Sequence, residues 1–271
     1  MGFSKTESLS KTSVIGMLGG VTAAIVGHPF DTIKTRMQSV RVFHHFILLS
    51  ERPKMITYVQ SVKVKFNPRS LYRGLIPPLL SVPPSWVVNF VSFGAALKLI
   101  GDATTSQHFF AGSVSGIFWA LMVTPFELVK CRAQCSNTTS SIEFRRILEK
   151  NRKDPIRILK SLYRGTTLTA IRDFFGIGVW FSIYHITSTK MELSPFLSGG
   201  LSGLSCWLTI LPVDYVKTNY QIDNKASLIG SIRAAAVSIR GIWAVISVIA
   251  VQQFIRTGCS MIVVEKARSY F

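Results

Sequence analysis

The chain has 271 residues and carries 31 Lys and Arg against 13 Asp and Glu, a formal net charge of +18. Charged residues make up only 16% of it, hydrophobic residues make up 48%, and the mean hydropathy is +0.35. This apolar content excludes a disordered chain and disfavours a soluble nucleic-acid-binding protein, whose basic residues spread over a polar surface. The four cysteines form no Cys-x-x-Cys pair and no cluster with histidine, so neither a disulfide framework nor a metal site is predicted.

Six stretches are apolar enough to cross a bilayer, for which about 20 residues are needed. They lie at about 12–38, 75–97, 107–135, 166–187, 195–221 and 244–264. Each contains Gly, Ser, Thr, Pro or a charged residue, which is typical of helices that face one another or a watery cavity. The sequence therefore predicts an all-α membrane protein with six transmembrane helices. The alternative, a soluble helical bundle, would show a charged outer stripe on its helices.

The connecting segments divide into a basic set and a neutral set. The long segments at about 39–74, 136–165 and 222–243 together carry a net charge of +13. The two short segments, at about 98–106 and 188–194, are each neutral. Because basic loops stay on one side of a membrane, the long segments are predicted to share one side, and both termini to share the other.

A pattern of four residues ends the first, third and fifth stretches. It is a proline, then an acid, a lysine and a glutamine at the same offsets, in a chain of three units of nearly 90 residues. The members are Pro29, Asp31, Lys34 and Gln38; Pro125, Glu127, Lys130 and Gln134; and Pro212, Asp214, Lys217 and Gln221. Such a proline removes a backbone hydrogen bond within an apolar helix and favours a kink there.

Two further patterns repeat in register with the first. Glycines four residues apart precede each proline and permit close helix packing, at Gly16 and Gly20, Gly112 and Gly116, and Gly199 and Gly203. The second and fourth stretches open with Leu71-Tyr72-Arg73-Gly74 and Leu162-Tyr163-Arg164-Gly165. Before the sixth stretch, Ile242-Trp243-Ala244-Val245 keeps the aromatic residue and loses Arg-Gly.

These residues resemble the mitochondrial carrier family over essentially the whole chain. Its carnitine/acylcarnitine and basic amino acid carriers are the most similar in appearance, through the run 125–132, the pair Phe93-Gly94 and Trp207. The resemblance implies a monomeric carrier, not an enzyme, that works by alternating access in the mitochondrial inner membrane. Both termini would face the intermembrane space, and no nucleic acid would bind. A peroxisomal or relic-organelle membrane stays open.

The family architecture implies three repeats, each with two transmembrane helices and a short matrix helix. Their predicted bounds are 1–99, 100–189 and 190–271. The resemblance also implies a matrix gate, a ring of ion pairs between helices. The pairs are Asp31 with Lys130, Glu127 with Lys217, and Asp214 with Lys34, braced by Gln38, Gln134 and Gln221. Since unpaired charges near membrane depth cost several kcal/mol, the pairs hold only while they find one another.

At the opposite end, the family carries an aromatic-acid-x-x-basic motif on each even-numbered span. Here only Glu265 and Arg268 keep both charges, whereas Phe93-Gly94 and Tyr184-His185 lack the acid. A weak cytoplasmic gate is therefore expected.

The resemblance also implies cardiolipin binding at the aromatic-basic-glycine motifs, since an open helix N-terminus and basic residues suit its phosphates. Those residues are Tyr72, Arg73, Gly74, Tyr163, Arg164 and Gly165. An interfacial aromatic anchor with a snorkelling arginine is the alternative.

The family's midplane contact positions fall on Ser81, Arg172 and Gln252, with Asp173 beside Arg172 and Arg256 one turn beyond Gln252. An adjacent cation and anion within an apolar span are costly unless buried in protein or facing water. They suit a zwitterion, with Arg172 on its carboxylate and Asp173 near its ammonium group. A pair that merely satisfies itself between helices is the alternative.

The sequence therefore favours transport of an amino acid or a carnitine-like compound. Two alternatives stay open. One is a carrier for a nucleotide, cofactor or carboxylate, which would want more cationic midplane residues. The other is a degenerate carrier that acts as a scaffold or receptor without transport.

Overall fold

The computed structural model describes residues 9–39, 72, 75–101, 104–135, 138–150, 154–222 and 228–270. Within these ranges, only the backbone is described for residues 32–39, 77, 134, 135, 215 and 218–248. Several predicted site residues therefore lie outside the description. They are Arg73 and Gly74 entirely, and the side chains of Lys34, Gln38, Gln134 and Gln221.

Helices account for nearly all of this described part of the chain, which contains no strand. Six of them are long: α1 (Leu9–Ser39), α2 (Ile76–Ile100), α3 (Thr105–Cys135), α6 (Thr166–His185), α7 (Pro195–Ile222) and α8 (Leu228–Tyr270). Two short helices, α4 (Ser140–Lys150) and α5 (Pro155–Leu162), connect α3 to α6. A π-helical turn, Ile186–Lys190, extends α6.

The six long helices form a closed ring. Each packs against the next in chain order, and α8 returns to pack against α1. An apolar core lies in the half of the ring near the C-terminal ends of α2 and α6, where the rings of Phe93 and Phe181 stack at 3.5 Å. The proline-acid motifs stand near the other end, and there α3 also contacts α7.

Four of the ring helices contain segments long and apolar enough to cross a membrane, among the residues described. These segments are Leu9–Asp31, Pro78–Ile100, Thr105–Ala133 and Pro195–Asp214. Helix α6 has 20 residues and carries Arg172 and Asp173, both buried, in its interior. A ring of helices tolerates such charges because neighbouring helices shield them from lipid. The chain is thus an all-α membrane protein, as the sequence predicts.

Glycine allows the third and sixth helices of the chain to approach closely at one point. A Cβ atom on Gly116 of α3 would meet the backbone carbonyl of Asp173 on α6, and would lie 3.1 Å from the backbone nitrogen of Phe174. Backbone atoms cannot swing aside as a side chain can. The absence of a side chain at Gly116 therefore sets the distance between α3 and the charged pair of α6.

The third repeat differs from the predicted pattern of two long helices and one short one. Helix α8 runs unbroken from Leu228 to Tyr270, about 65 Å at the usual rise per residue. In the second repeat, Gly165 has a φ of 85° and separates α5 from α6. Val245 takes its place in the third repeat, and β-branched residues avoid positive φ, so the chain stays helical. The short helix predicted for the first repeat falls in residues outside the description.

Candidate functional site

Arg172, in the second turn of α6, is the centre of a buried network of charges. Its Nε donates to Oδ1 of Asp173 at 2.7 Å, and its Nη2 donates to Oδ2 at 2.9 Å. Only 8% and 6% of the two side chains are exposed. This forked arrangement is the strong form of a charge-assisted hydrogen bond. The two adjacent side chains are therefore bonded to each other.

The same guanidinium also reaches carboxylates on two other helices. Nη1 donates to Oδ1 of Asp214 on α7 at 2.7 Å, and Nη2 donates to Oε1 of Glu127 on α3 at 3.3 Å. One arginine of α6 is thus bonded to three carboxylates. Its five N–H donors in a rigid plane make this possible, whereas a lysine presents a single point charge.

Lys217 completes the network. Its ammonium group pairs with Oε2 of Glu127 across the ring, and only 3% of its side chain is exposed. This joins α7 to α3, the pairing expected between these two residues. We call Arg172, Asp173, Glu127, Asp214 and Lys217 the charged cluster.

The charged cluster holds three carboxylates and two cations, so its ionised form carries one excess negative charge. Exposure within it is uneven. The side chains of Glu127 and Asp214 are 30% and 31% exposed, whereas the cations are nearly fully buried. The part that a solute can touch is therefore anionic.

Of the predicted ring pairs whose two side chains are both described, one is present and one is not. Lys130 is exposed, and no ion pair joins it to Asp31 among the described residues. Asp31 instead accepts a hydrogen bond of 2.8 Å from Nε2 of Gln252 on α8. The pairing expected between Asp31 and Lys130 is thus wrong for this state of the protein. The reason is that even-numbered ring helices also supply partners to the acids, Gln252 to Asp31 and Arg172 to Asp214.

The structure describes only the backbone of Lys34, the expected partner of Asp214. The same holds for the three bracing glutamines, Gln38, Gln134 and Gln221.

The other predicted substrate-contact residues do not belong to the charged cluster. Ser81 is half-buried and its hydroxyl donates to the carbonyl of Pro78 in its own helix, at 3.4 Å. Arg256 is half-buried on α8, and a Cβ on Gly27 of α1 would lie 3.0 Å from its Cδ. Within the described part of the chain, the guanidinium of Arg256 makes no hydrogen bond or ion pair. It lies one turn from Gln252.

A second polar contact lies at the opposite end of the ring. Tyr184 at the end of α6 donates its hydroxyl hydrogen to Oε1 of Glu265 on α8 at 2.9 Å, and Nη1 of Arg268 lies 3.5 Å from the same oxygen. The aromatic-acid-x-x-basic pattern predicts Glu265 and Arg268 but not Tyr184, because His185 stands in place of the acid after Tyr184. The retained aromatic hydroxyl at the motif's first position was the available signal.

The described parts of the aromatic-basic-glycine motifs lie before α2 and at the start of α6. Gly165 is the N-cap of α6, and Tyr163 beside it has 37% of its surface exposed. In the first repeat, Tyr72 is 43% exposed, and its ring lies 6.2 Å from that of His28.

A closed ring of six long helices, four of which contain described segments apolar enough to cross a membrane, around a buried, partly accessible charged cluster is the architecture of a membrane carrier of solutes. The chain belongs to the mitochondrial carrier family, because the family profile "Mitochondrial carrier protein" matches residues 5–104 and 101–192. It is thus a solute carrier and a multi-pass protein of the mitochondrial inner membrane, in a family of transporters. The matched residues cover most of the first two predicted repeats.

Relatives agree with the branch that the sequence resembles. The mitochondrial carnitine carrier of Saccharomyces cerevisiae is 30% identical over 242 residues, covering 79% of this chain and 72% of that protein. The mitochondrial basic amino acids transporter of Bos taurus is 30% identical over 229 residues, covering 77% and 72%. The human mitochondrial carnitine/acylcarnitine carrier protein is 30% identical over 238 residues, covering 80% and 77%.

Proposed function

We propose that this carrier moves a small zwitterionic metabolite, an amino acid or a carnitine-like compound, by alternating access through the centre of the ring. The proposal rests on the accessible carboxylates of the charged cluster, those of Glu127 and Asp214. On α8, the guanidinium of Arg256 makes no hydrogen bond or ion pair within the described part of the chain. Relatives that carry carnitine or basic amino acids support the same class of substrate.

The cationic end of the substrate would bind at Glu127 and Asp214. These carboxylates keep about a third of their side-chain surface exposed, whereas Arg172 and Lys217 are nearly fully buried. An ammonium, guanidinium or trimethylammonium group would pair with the exposed carboxylate oxygens. Arg172 and Asp173 then orient Glu127 and Asp214 from behind the binding surface. Arg172 does not bind the carboxylate of the substrate.

The carboxylate of the substrate would bind at Arg256. This side chain is half-buried and uncommitted in the described structure, and a guanidinium forms forked hydrogen bonds with carboxylates. Gln252, one turn away, and Ser81 on α2 are the neutral polar residues proposed to complete the site.

Binding at the cluster would couple to opening of the ring. The bonds of Arg172 and Lys217 hold α3, α6 and α7 together at the proline-acid end. A substrate cation that replaces them at Glu127 or Asp214 offsets part of the cost of separating these helices. It thereby shifts the equilibrium toward the state open on that side. Glu265 and Arg268, with Tyr184, would form the gate at the other end.

The remaining assignments follow the family pattern. The proline-acid end would face the matrix and both termini the intermembrane space, because the basic segments follow the proline-acid motifs in the sequence. Cardiolipin would bind at the two aromatic-basic-glycine motifs of a monomer. The repeats would be 1–99, 100–189 and 190–271, close to the bounds of the two profile matches.

The test is uptake into liposomes, after a thermal-shift screen of the purified protein against metabolite classes. Asp214→Asn should weaken transport of every substrate with a cationic end. Arg256→Gln should weaken transport of amino acids but spare their decarboxylated amines. A charge-assisted hydrogen bond contributes about 1.5–3 kcal/mol, so each loss should be about tenfold to hundredfold. Glu149→Gln and Lys98→Gln, both exposed, are the matched controls.

The outcomes separate the alternatives. An equal effect of Arg256→Gln on amino acids and amines would refute the carboxylate assignment. Stabilisation by nucleotides or dicarboxylates alone would refute the zwitterion. If no compound moves or stabilises the protein, a scaffold role is favoured.

A further inference from the structure

Two histidine rings stack face to face at the end of the ring away from the charged cluster. His108 lies in the first turn of α3, and His185 is the last residue of α6. The ring centroids are 3.9 Å apart and the ring planes differ by 23°. The two residues are only 2% and 8% exposed, so the stack is buried between the two helices. Both side chains are titratable, and the proposed transport site uses neither.

The histidine pair adjoins the aromatic contacts that close this end. The ring of Phe93 on α2 lies 5.8 Å from that of His108, and it stacks on Phe181 of α6 at 3.5 Å. Helices α2 and α6 are not consecutive in the ring, so the stack of Phe93 on Phe181 crosses the interior. A movement that separates α3 from α6 here also separates the two histidines and relieves any repulsion between them.

His185 stands where the family motif carries an acid. The aromatic-acid-x-x-basic pattern continues here as Tyr184 followed by His185. A carboxylate keeps its charge at every physiological pH, whereas an imidazole in ordinary surroundings has a pKa of about 6.5 and gains a positive charge on mild acidification. A constant charge is thus replaced by one that depends on pH, and it stands against a second group of the same kind.

The number of protons on the pair decides whether the stack is stable. Two neutral imidazoles carry no net charge, and one proton leaves a cation against a neutral ring. Two protons place two unit charges at the stacking distance in a buried site, where Coulomb repulsion is strong. The helix dipole adds to this cost, because its positive end lies at the start of α3 and opposes a cation on His108.

The acidic groups near the pair do not compensate for a second proton. Glu192, beyond the π-helical turn, is exposed to solvent, and Glu265 of α8 is already bonded to Tyr184. The basic residues at this end add positive charge; they are Lys98 of α2, Lys190 of the π-helical turn and Arg268 of α8.

The helices that pack around the pair carry their other charges far away. Within α3, α6 and α7, the nearest charged residues are Glu127, Asp173 and Asp214, all members of the charged cluster. Asp102, in the linker between α2 and α3, lies outside the described residues. Its carboxylate is therefore tested by substitution together with the histidines.

We propose that His108 and His185 form a pH-sensitive latch between α3 and α6. The neutral or singly protonated pair holds the two helices together, and the doubly protonated pair drives this end of the ring open. The latch adds to the gate proposed at this end, and its action does not depend on which solute is carried.

The first experiment measures the opening of this end and needs no substrate. Spin labels are attached through Leu99→Cys and Met191→Cys, at positions 89% and 58% exposed at the end of α2 and beyond the π-helical turn. The full-length protein has its native cysteines replaced by serine, and unchanged thermal stability qualifies that background. In nanodiscs, the distance between the labels should be short at pH 8 and should lengthen between about pH 6.5 and 5.

Phenylalanine at either position keeps a ring in the stack and removes its titration. His108→Phe and His185→Phe should each keep the short distance at every pH, because a second charge can no longer form. His28→Phe is the matched control. His28 is also buried, 6% exposed, and its ring lies near Tyr72 at the proline-acid end. This variant should open on acidification as the wild-type protein does.

Three results would overturn the latch. The first is a wild-type distance that stays constant between pH 8 and pH 5. The second is opening that persists in both His108→Phe and His185→Phe. The third is a loss of opening in Asp102→Asn, which would assign the titration to the carboxylate of the linker.

The second experiment measures the melting temperature against pH in the protein with its native cysteines. An unfolded chain takes up a proton at each histidine below about pH 6.5, whereas the folded stack resists the second proton, so acidification lowers the stability of the fold. Between pH 7.5 and 5.5 the wild-type protein should lose at least about 2 °C more than His108→Phe or His185→Phe. Equal losses in the three proteins would overturn the repulsion within the stack.

Discussion

Arg172 of α6 donates a hydrogen bond of 2.7 Å to Asp214 of α7, from Nη1 to Oδ1. Asp214 follows Pro212, the residue at which α7 lacks a backbone hydrogen bond. The charge that links the two helices therefore lies next to the point where α7 bends most easily. Since the same guanidinium bonds Glu127, a single side chain resists the separation of three ring helices.

We expect Arg172→Ala to lower the free energy of unfolding by about 3 kcal/mol. The substitution leaves three carboxylates without the cation that they share. Because Glu127 and Asp214 are partly exposed, we expect a loss of stability at the lower end of the range for breaking a buried ion pair. Arg172→Lys should recover only part of it, because an ammonium group cannot bond three carboxylates in the plane of a guanidinium. Thermal unfolding in detergent measures both. Arg145→Ala is the exposed control, and a wild-type melting temperature for Arg172→Ala would contradict the network.

The pair of Lys217 and Glu127 should behave as one unit. In a double-mutant cycle of Lys217→Ala and Glu127→Gln, we expect a coupling free energy of about 0.5–3 kcal/mol, because each single change strands the other residue. The same cycle with Glu127→Gln and Lys98→Ala should give no coupling, since Lys98 is exposed on α2. Additive losses for the first pair would show that the contact is unimportant for stability.

Gly116→Ala should destabilise the protein and reduce transport. The new Cβ would press on the backbone of Asp173 and push α6 away from α3. Overpacking of this kind costs about 1–3 kcal/mol. Gly94→Ala is a matched control, because its Cβ would meet no atom within 4 Å. That change should instead stabilise α2 slightly, by up to about 1 kcal/mol from helix propensity. Equal melting temperatures for the two variants would refute the close approach.

Tyr184→Phe should weaken the contact between α6 and α8 at the end of the ring away from the charged cluster. It removes a hydrogen bond to a carboxylate, for which we expect a loss of about 1.5 kcal/mol. Tyr270→Phe, with Tyr270 88% exposed, is the control. If both variants have the melting temperature of the wild-type protein, the contact of Glu265 with Arg268 is sufficient and the hydrogen bond from Tyr184 does not contribute to stability.

Much of the fold follows from local patterns. Hydropathy marks six stretches, and the bounds of the first five agree with the helices to within three residues. The largest difference is in the sixth, where α8 begins sixteen residues earlier than predicted. That helix extends because Val245 replaces the glycine that interrupts the second repeat. The substitution was visible in the sequence, but its consequence required knowing that Gly165 adopts a positive φ.

The sequence by itself determined the membrane class, the threefold proline-acid-lysine pattern and the adjacent Arg172 and Asp173, because these depend on residue type and spacing within one helix. The tertiary structure decided which partners the charges take. Arg172 meets Asp214 across 42 residues, and Gln252 meets Asp31 across 221. Such contacts depend on the height and rotation of each helix in the ring. Close packing at positions such as Gly116 sets that height and rotation, whereas residue spacing along one helix does not.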